Sequence, residues 1–327
     1  MKAVRLGAFA ALAIGLAGGA LLAVMFRQDI AAASERLAGR GETVGTALGR
    51  VEYAALGQGP PVLVVHGSGG GFDQGIELAG PLADRGFRIL APSRFGYLGS
   101  GMPSDPSAER QADVLAALLD RLGIAALPVM GASAGALSAI QFAIRHPGRC
   151  TALVLLVPAS HSPERPPGVN ALESPLGRAI FRAVLSSDFL FWIGVRFAPD
   201  FMVRAVLATD PALVANAAPA ERRRVAEVLR HVLPISDRAE GLWFDTAAAG
   251  APPPYAPDRI GCPVLALSAE DDFYGTARSA RFAADSATDG RAVVYPTGGH
   301  LLVGRQRAAW GEIAEFLREA EEAAGRP

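Results

Sequence analysis

The pentapeptide Gly131-Ala132-Ser133-Ala134-Gly135 decides the fold of this chain, because it separates an apolar run from an alanine-rich stretch. The apolar run Ile124–Met130 predicts a buried strand, and the residues after the pentapeptide predict a helix. A strand that turns sharply into a helix exposes a serine hydroxyl at its tip, and flanking glycines leave room for the turn. A glycine-flanked turn with a helix-capping serine has the same pattern, so residues elsewhere in the chain must distinguish the two interpretations.

A serine hydroxyl is a poor nucleophile at neutral pH and needs a neighbouring base that a third group orients. Among the five histidines, His300 is the candidate for this base. It follows the β-like run Arg291–Tyr295 and a glycine-rich loop, and it precedes a predicted C-terminal helix. A histidine in such a loop can reach over the edge of a sheet, so we favour His300 as the base over a loop histidine bonded to nearby backbone.

The acid that orients the base is expected directly after another strand. The run Pro263–Ser268 predicts a buried strand, and three acidic residues follow it at positions 270–272. We predict that Asp272 accepts the imidazole N–H, with Asp271 as the second choice. The resulting chain order of serine, acid and histidine is typical of one hydrolase class and differs from the orders in chymotrypsin and subtilisin.

A glycine-rich loop lies upstream, where the predicted strand Pro61–Val65 runs into His66-Gly67-Ser68-Gly69-Gly70-Gly71. Backbone N–H groups on such a loop can point at a developing oxyanion without steric hindrance. The loop lacks the Gly-Lys-Ser/Thr ending and the G-x-G-x-x-G spacing of phosphate-binding loops. We predict a structural role for His66, Gly67 and Gly69 in this loop.

Together these motifs resemble the α/β-hydrolase-fold serine hydrolases, from about Val51 to the end of the chain. The segment Ser93–Ser100 also resembles the glycine-rich loop that follows an early strand in that family. The resemblance implies an α/β fold with a mostly parallel central sheet flanked by helices. It further implies a catalytic triad, and an oxyanion hole formed by the backbone N–H groups of Ser68 and Ala134, with Gly69 as the alternative to Ser68.

The domain organisation follows from where strand and helix patterns alternate. Predicted strands at Phe87–Ala91 and Thr151–Val157 and a predicted helix at Ser107–Leu122 belong to the core, residues 51–157 and 261–327. Between 158 and 260 the pattern has helical segments and no convincing strand, which is where the resembled family often inserts a helical cap. In this region Phe189–Phe197 is unusually apolar. It is expected to pack the cap or line the substrate pocket, or else to contact a membrane or a lipophilic substrate at the bilayer surface.

The first 27 residues predict a membrane anchor or a signal segment. Leu6–Phe26 contains no charge, and as a helix it would span about 31 Å, which matches a bilayer core. An uncleaved transmembrane helix is favoured over a signal peptide, although Ala31–Ala33 offers a small-residue cleavage site. Lys2 and Arg5 before the span favour a catalytic domain on the outer, periplasmic or extracytoplasmic side. Residues 28–50 are expected to form a linker.

Composition excludes some partners. The 327 residues are 50% hydrophobic and carry a net charge of −1, which suits one large globular domain with an insertion and gives no reason to expect nucleic acid. No His/Cys cluster has metal-ligand spacing, so neither a metal nor an organic cofactor is expected. The expected partners are the membrane and a small-molecule acyl substrate, with a lipophilic compound among the candidates.

The two cysteines, Cys150 and Cys262, each precede a strand, on either side of the predicted cap. In the resembled fold those strands are parallel neighbours, so both thiols would lie at the same sheet edge. A disulfide and two free thiols both remain open, and a Cα separation above about 7 Å would exclude the disulfide.

The leading functional interpretation is a serine esterase or lipase-like hydrolase of carboxylic esters or related acyl compounds. A carbon–carbon bond hydrolase is an alternative because the loop at His66 resembles that group, but Leu301 follows His300 where those enzymes carry tryptophan. An amidase of the proline-iminopeptidase kind and a slow-turnover ligand receptor are further alternatives. Serine at position 133 argues against haloalkane dehalogenases and epoxide hydrolases, which use an aspartate nucleophile.

Overall fold

A central β-sheet organises the protein. The computed structural model describes residues 2–164, 174–323 and 325. The strands are β1 (Glu42–Thr46), β2 (Gly49–Leu56), β3 (Pro61–Val65), β4 (Arg88–Pro92), β5 (Leu127–Ala132), β6 (Cys150–Leu156), β7 (Val264–Ala269) and β8 (Gly290–Tyr295). The described residues form one eight-stranded sheet in the order β1-β2-β4-β3-β5-β6-β7-β8. The neighbouring strands β4, β3, β5, β6, β7 and β8 run parallel to one another. Strand β2 is antiparallel to both of its neighbours, β1 and β4.

Helices cover both faces of this sheet and form a layer above it. They are α1 (Lys2–Leu37), α2 (Phe72–Ala83), α3 (Ala108–Arg121), α4 (Gly135–Arg145), α5 (Pro175–Leu185), α6 (Asp188–Phe197), α7 (Pro199–Val206), α8 (Pro211–Ala215), α9 (Pro219–Arg230), α10 (Ala239–Gly250), α11 (Thr276–Ser286) and α12 (Gln306–Ala323). One face of the sheet packs against α3, α4 and α11, and the other against α2 and α12. These are the flanked, mostly parallel sheet and the α/β fold that the sequence predicts.

The strands that precede the candidate nucleophile and the candidate acid are buried on both faces. All residues of β5 and β7 are buried, as their continuous apolar sequences indicate. Because β3, β5, β7 and β8 run in parallel, their carboxyl ends meet at one edge of the sheet. The loops that hold the predicted site residues therefore converge there.

The helices α5–α10 lie between β6 and β7 in the chain and pack around their own apolar cluster. This cluster includes Leu185, Trp192 and Leu229, and it also receives Phe26 and Ile30 from α1. The predicted cap, 158–260, includes residues 165–173, which lie outside the described residues, as do residues 1, 324, 326 and 327 of the predicted terminal segments.

The expected linker at 28–50 is not a linker in the structure. Helix α1 continues to Leu37, and β1 and β2 form a hairpin that extends the sheet. The alanines at 31–33 are strong helix formers, which carries the helix past the apolar span. Strand β1 is mostly exposed at the sheet edge, so it lacks the apolar alternation that reveals a strand in a sequence.

Within α1, Gly15–Leu37 is long and apolar enough to cross a membrane, with a mean hydropathy of 1.3. Only 6% of the most apolar 18-residue stretch of this segment is buried in the protein. A membrane-spanning helix and a signal sequence share these properties.

The two cysteines are free thiols. Cys150 begins β6, and its sulfur lies 3.6 Å from the sulfur of Cys262, which precedes the neighbouring strand β7. The hydrogen bond with the Cys262 thiol, followed by burial, raises the pKa of Cys150 well above its ordinary value.

Candidate active site

Ser133 occupies the sharp turn between β5 and α4. Its φ is +49°, in the left-handed region that non-glycine residues rarely adopt. A Cβ at Gly131 would lie 2.6 Å from the Ala139 side chain, and one at Gly135 would lie 2.4 Å from the carbonyl oxygens of Val65 and His66. The two glycines are therefore required by close packing, and the pentapeptide forms a strand–turn–helix elbow.

His300 lies in hydrogen-bond contact with both predicted partners. Its Nε2 is 3.0 Å from Ser133 Oγ, and its Nδ1 is 2.8 Å from Asp272 Oδ2. The serine comes from the end of β5, the acid from the loop after β7 and the histidine from the loop after β8. The structure thus brings these three residues into one continuous hydrogen-bonded chain.

Asp272 is buried and well held. Its Oδ1 accepts the backbone N–H of Tyr274 at 2.8 Å, and its Oδ2 accepts the Thr276 hydroxyl. Burial raises the pKa of Asp272, but the adjacent His300 and these donated hydrogen bonds outweigh it, so the pKa lies below its ordinary value. The carboxyl group is therefore charged at neutral pH and can stabilise an imidazolium.

Asp271, the second choice for the acid, has a different place. Its Oδ1 accepts the backbone N–H groups of Gly298 and Gly299 at 2.9 and 2.8 Å. Asp271 therefore holds the loop that presents His300, and the structure brings Asp272 rather than Asp271 to the imidazole.

The loop after β3 lies directly against the elbow. A Cβ added at Gly67 would be 3.1 Å from the Ser133 side chain, so only a glycine fits there comfortably. In the described part of the chain, the backbone N–H groups of Ser68 and Ala134 have no acceptor. By contrast, the N–H of Gly69 donates to the Tyr97 hydroxyl at 3.3 Å. This geometry favours Ser68 over Gly69 as an oxyanion donor.

His66 is fully buried beneath this loop. Its Nδ1 lies 2.7 Å from the Gly67 carbonyl oxygen, and its Nε2 accepts the backbone N–H of Arg94 at 2.9 Å. Burial, followed by the charge of Arg94, lowers the pKa of His66 well below its ordinary value. A neutral imidazole that donates from one nitrogen and accepts at the other fits the structural role predicted for His66.

A buried ion pair that sequence reasoning missed lies on the other side of the loop. Asp245, on α10, accepts two hydrogen bonds from Arg94 at 2.8 and 2.5 Å. It also accepts the hydroxyl groups of Tyr97 at 2.5 Å and Ser68 at 3.0 Å. Tyr97 in turn accepts the backbone N–H of Gly69. The carboxylate of Asp245 therefore links helix α10 to the loop after β3, residues 66–71, which we call the candidate oxyanion loop. We call Asp245, Arg94, Tyr97 and Ser68 the Asp245 network.

A second buried ion pair joins α1 to the same region. Asp73, in the first turn of α2, accepts hydrogen bonds from Arg238 at 3.1 and 2.8 Å and from Arg36 at 2.5 Å. Arg238 also donates to the carbonyl oxygen of Gly70. Arg36, near the end of α1, additionally donates to backbone carbonyls at His231 and Leu233. The N-terminal helix, the core and the α5–α10 layer therefore meet beside the candidate oxyanion loop.

In the ranges that the structure describes, no group of three His, Cys, Asp or Glu side chains is arranged to hold a metal ion.

Comparisons with known proteins agree with this architecture. The model of the alpha/beta hydrolase fold family matches residues 60–304, which is most of the chain. The chain belongs to this family. The hydrolase is 27% identical over 289 residues to an uncharacterized hydrolase, YcgS, of Bacillus subtilis, and the match covers 84% of this chain and 96% of the relative.

Two solved structures show how far the likeness extends. An alpha/beta hydrolase fold protein from Nakamurella multipartita has a TM-score of 0.67 and 29% identity, covering 85% of this chain and 99% of its own. A membrane phospholipase A has a TM-score of 0.64 and 21% identity, covering 98% of this chain and 99% of its own. The second likeness shows a shared fold alone, and its coverage includes α1.

Proposed function

We propose that this hydrolase is a membrane-anchored serine hydrolase that cleaves carboxylic esters or related acyl compounds through Ser133, His300 and Asp272. The observation that carries the proposal is the continuous hydrogen-bonded chain from the Ser133 hydroxyl through both ring nitrogens of His300 to Asp272. The same residues could exist as a structural cluster, but the serine stands at a strained turn, which is where catalytic machinery tends to lie.

In the proposed reaction, Ser133 Oγ attacks the acyl carbon while His300 Nε2 takes the hydroxyl proton. Asp272 stays charged and stabilises the imidazolium that forms. The backbone N–H groups of Ser68 and Ala134 would donate to the oxyanion of the tetrahedral intermediate. The intermediate then collapses, and His300 gives the proton to the departing alkoxide. The acyl group stays bonded to Ser133. Water attacks the acyl-enzyme with the same base and releases the acid.

The first test uses a fluorophosphonate probe on the full chain. We expect the probe to label the wild type and to fail with Ser133→Ala. Ser138→Ala is the matched control, since this buried serine lies one turn further along α4. Labelling that persists in Ser133→Ala would refute the assignment of the nucleophile.

The acid is tested by comparing Asp272→Asn with Asp271→Asn. We expect Asp272→Asn to lower kcat on a water-soluble ester by roughly a thousandfold or more, since the imidazolium loses its counter-charge. Asp271→Asn should have a much smaller effect, because its side chain holds backbone N–H groups that an amide oxygen also accepts. Equal losses in the two variants would contradict the assignment.

A substrate panel separates the proposal from its alternatives. Faster turnover of esters than of matched anilides would support ester hydrolysis rather than amidase chemistry. Faster turnover of esters than of vinylogous 1,5-diketones would support it over carbon–carbon bond hydrolysis. Tight ligand binding with no turnover on any of them would instead favour a receptor.

The membrane part of the proposal rests on α1. The Phe26 ring packs against α6, and Asp29 accepts the indole N–H of Trp192 at 2.7 Å. Cleavage at Ala31–Ala33 would remove both contacts, which supports a retained anchor. We place the catalytic domain on the outer side on the basis of Lys2 and Arg5. We expect the full-length mass in an alkali-washed membrane fraction, and we expect protease added to spheroplasts to cut the domain. A shortened soluble form would refute the anchor.

A further inference from the structure

Large apolar side chains remain exposed on three consecutive helices, α5, α6 and α7. We call this surface the cap patch, and its members expose between 36% and 70% of their surface: Leu176, Ile180, Leu190, Ile193, Phe197 and Phe201. On α6 the exposed members recur every three or four residues and so share one face. Helix α6 packs against both α5 and α7, so the three helices form one layer. Exposed apolar surface of this kind marks an interaction site.

The cap patch continues from the apolar surface of α1. Phe26, the last residue of the uncharged span, contacts α6 edge-on through Phe189 at 5.2 Å and Trp192 at 5.6 Å between ring centroids. On α1 itself, Leu21 and Val24 are exposed as well. The patch therefore begins where the span ends, at the level where a bilayer surface would lie.

Arginines accompany the apolar residues on each of these helices. Arg182 on α5, Arg196 on α6 and Arg204 on α7 are all exposed. Two of them lie over aromatic rings, Arg182 at 4.4 Å from the Trp243 centroid and Arg204 at 4.5 Å from that of Phe273. Arginine combines an apolar stem with a guanidinium that binds phosphate in a bidentate manner, which suits the boundary between acyl chains and phospholipid head groups.

The patch is also connected to the candidate active site. The carbonyl oxygen of Val206, at the end of α7, accepts the Tyr274 hydroxyl at 3.2 Å. The Tyr274 ring meets the His300 ring edge-on, with centroids 5.0 Å apart. Phe273 and Tyr274 are both partly exposed, so apolar surface extends from α7 to the imidazole.

We propose that the cap patch docks on the phospholipid bilayer that holds α1, and that the hydrolase takes acyl lipids from that surface. This inference rests on the proposed function and names its substrate class. A second copy is disfavoured as the occupant, because a two-fold interface through the patch would gather the like-charged arginines of both copies in one interface. Phospholipid phosphates complement those arginines, and acyl chains complement the apolar residues between them.

Docking is measured on the full chain in vesicles of phosphatidylcholine and phosphatidylglycerol. An environment-sensitive fluorophore is attached at Ile193→Cys or Phe197→Cys, in a background where Cys150 and Cys262 are replaced by alanine. The control is Asp120→Cys, on α3, a position with an exposed side chain. Spin-labelled phospholipids are expected to quench the fluorophore at 193 and 197 and not at 120. No quenching at 193 and 197, or equal quenching at all three sites, would overturn the proposal.

Energy transfer between copies labelled at 197, without lipid quenching, would show that a second copy covers the patch and would also overturn it. The activity arm compares Phe197→Asp with Leu48→Asp, a matched change at an exposed leucine in the β1–β2 hairpin. Phe197→Asp should lower hydrolysis of vesicle-embedded acyl lipids by about tenfold or more. Both variants should keep wild-type turnover of a water-soluble ester.

These readouts separate the two proposals. Loss of quenching with intact soluble-ester turnover would refute docking alone. Quenching without any ester turnover or probe labelling would refute the proposed function and leave the docked surface.

Discussion

Replacing Asp245 by asparagine should destabilise the protein strongly, because the change leaves a buried guanidinium without its counter-charge. Asp245 is 1% exposed and Arg94 is 2% exposed, so water cannot replace the lost charge in the folded state. Burial lowers the pKa of Arg94, but the charge of Asp245 outweighs it and raises that pKa above its ordinary value. Arg94 also stays charged in the variant, because the ordinary pKa of an arginine lies far above neutral pH.

The magnitude follows from the cost of breaking a buried ion pair. Removing one partner costs about 3–5 kcal/mol, because the remaining ion stays buried. An asparagine oxygen still accepts one hydrogen bond, so we expect about 3 kcal/mol, which is more than a hundredfold in the unfolding equilibrium. The Tyr97 and Ser68 hydroxyls lose a charged acceptor at the same time, so turnover of a water-soluble ester should fall as well.

The assay is urea denaturation of the detergent-solubilised full chain, followed by tryptophan fluorescence. Asp105→Asn is the matched control, since it breaks a surface Arg–Asp pair with Arg110 in which the side chains are 69% and 39% exposed. That pair should be worth about 1 kcal/mol or less. The double variant Arg94→Leu/Asp245→Leu should recover much of the stability, because it removes both charges.

A loss of stability in Asp245→Asn no larger than that in Asp105→Asn would refute the predicted cost of the unpaired guanidinium. A double variant less stable than Asp245→Asn would also refute it, because the unpaired charge would then not be the main cost.

Two further predictions concern Asp73 and the glycines of two helices. Burial raises the pKa of Asp73, but its two arginine partners lower it from 3.8 to about 2. Because the folded pKa lies below the unfolded one, this carboxylate contributes about 2 kcal/mol above the unfolded pKa, and the contribution is lost as pH falls towards 2. Asp73→Asn should remove this acid dependence from urea midpoints measured across that range; an unchanged slope would contradict it. Gly241→Ala should lower the free energy of unfolding by about 1–3 kcal/mol, because the added Cβ would lie 2.2 Å from the Tyr97 ring. Gly311→Ala, in open space on α12, should raise it by up to about 1 kcal/mol. Equal effects of the two variants in thermal unfolding would refute this prediction.

The parallel core could be predicted from the sequence because its strands are buried on both faces. Runs such as Pro61–Val65 and Pro263–Ser268 are continuous and apolar, and each is followed by polar or glycine-rich residues. Parallel strands bring their carboxyl ends to one edge, so residues that follow different strands could be assigned to one site without knowing the strand order. The choice between Asp271 and Asp272 still required the structure, since adjacent acids have the same strand context.

Features that depend on tertiary contacts could not be predicted in this way. Strand β1 is held mainly by pairing with β2, and the end of α1 is held by the ion pair between Arg36 and the distant Asp73. Asp245 lies 151 positions from Arg94, and no local pattern links the two. One signal was present: Asp245 is the lone charged residue in the otherwise apolar and small segment Gly241–Gly250. A charge in such a segment is costly unless a partner meets it.

Helix α1 is a rigid helix rather than a flexible linker, and the ion pair at Arg36 fixes one of its ends to the core. The helix runs unbroken from Lys2 to Leu37, a length of about 54 Å, and one end is clamped to Asp73. In a rigid helix with one fixed end, the number of residues determines both the distance and the rotation of the other end about the helix axis. One residue inserted within the apolar span would turn everything before it by about 100° relative to Arg36, without changing composition or hydropathy appreciably. The orientation of the first residues of α1 relative to Arg36 therefore depends on the number of residues between them, which would not be true of a flexible leader of equal hydrophobicity.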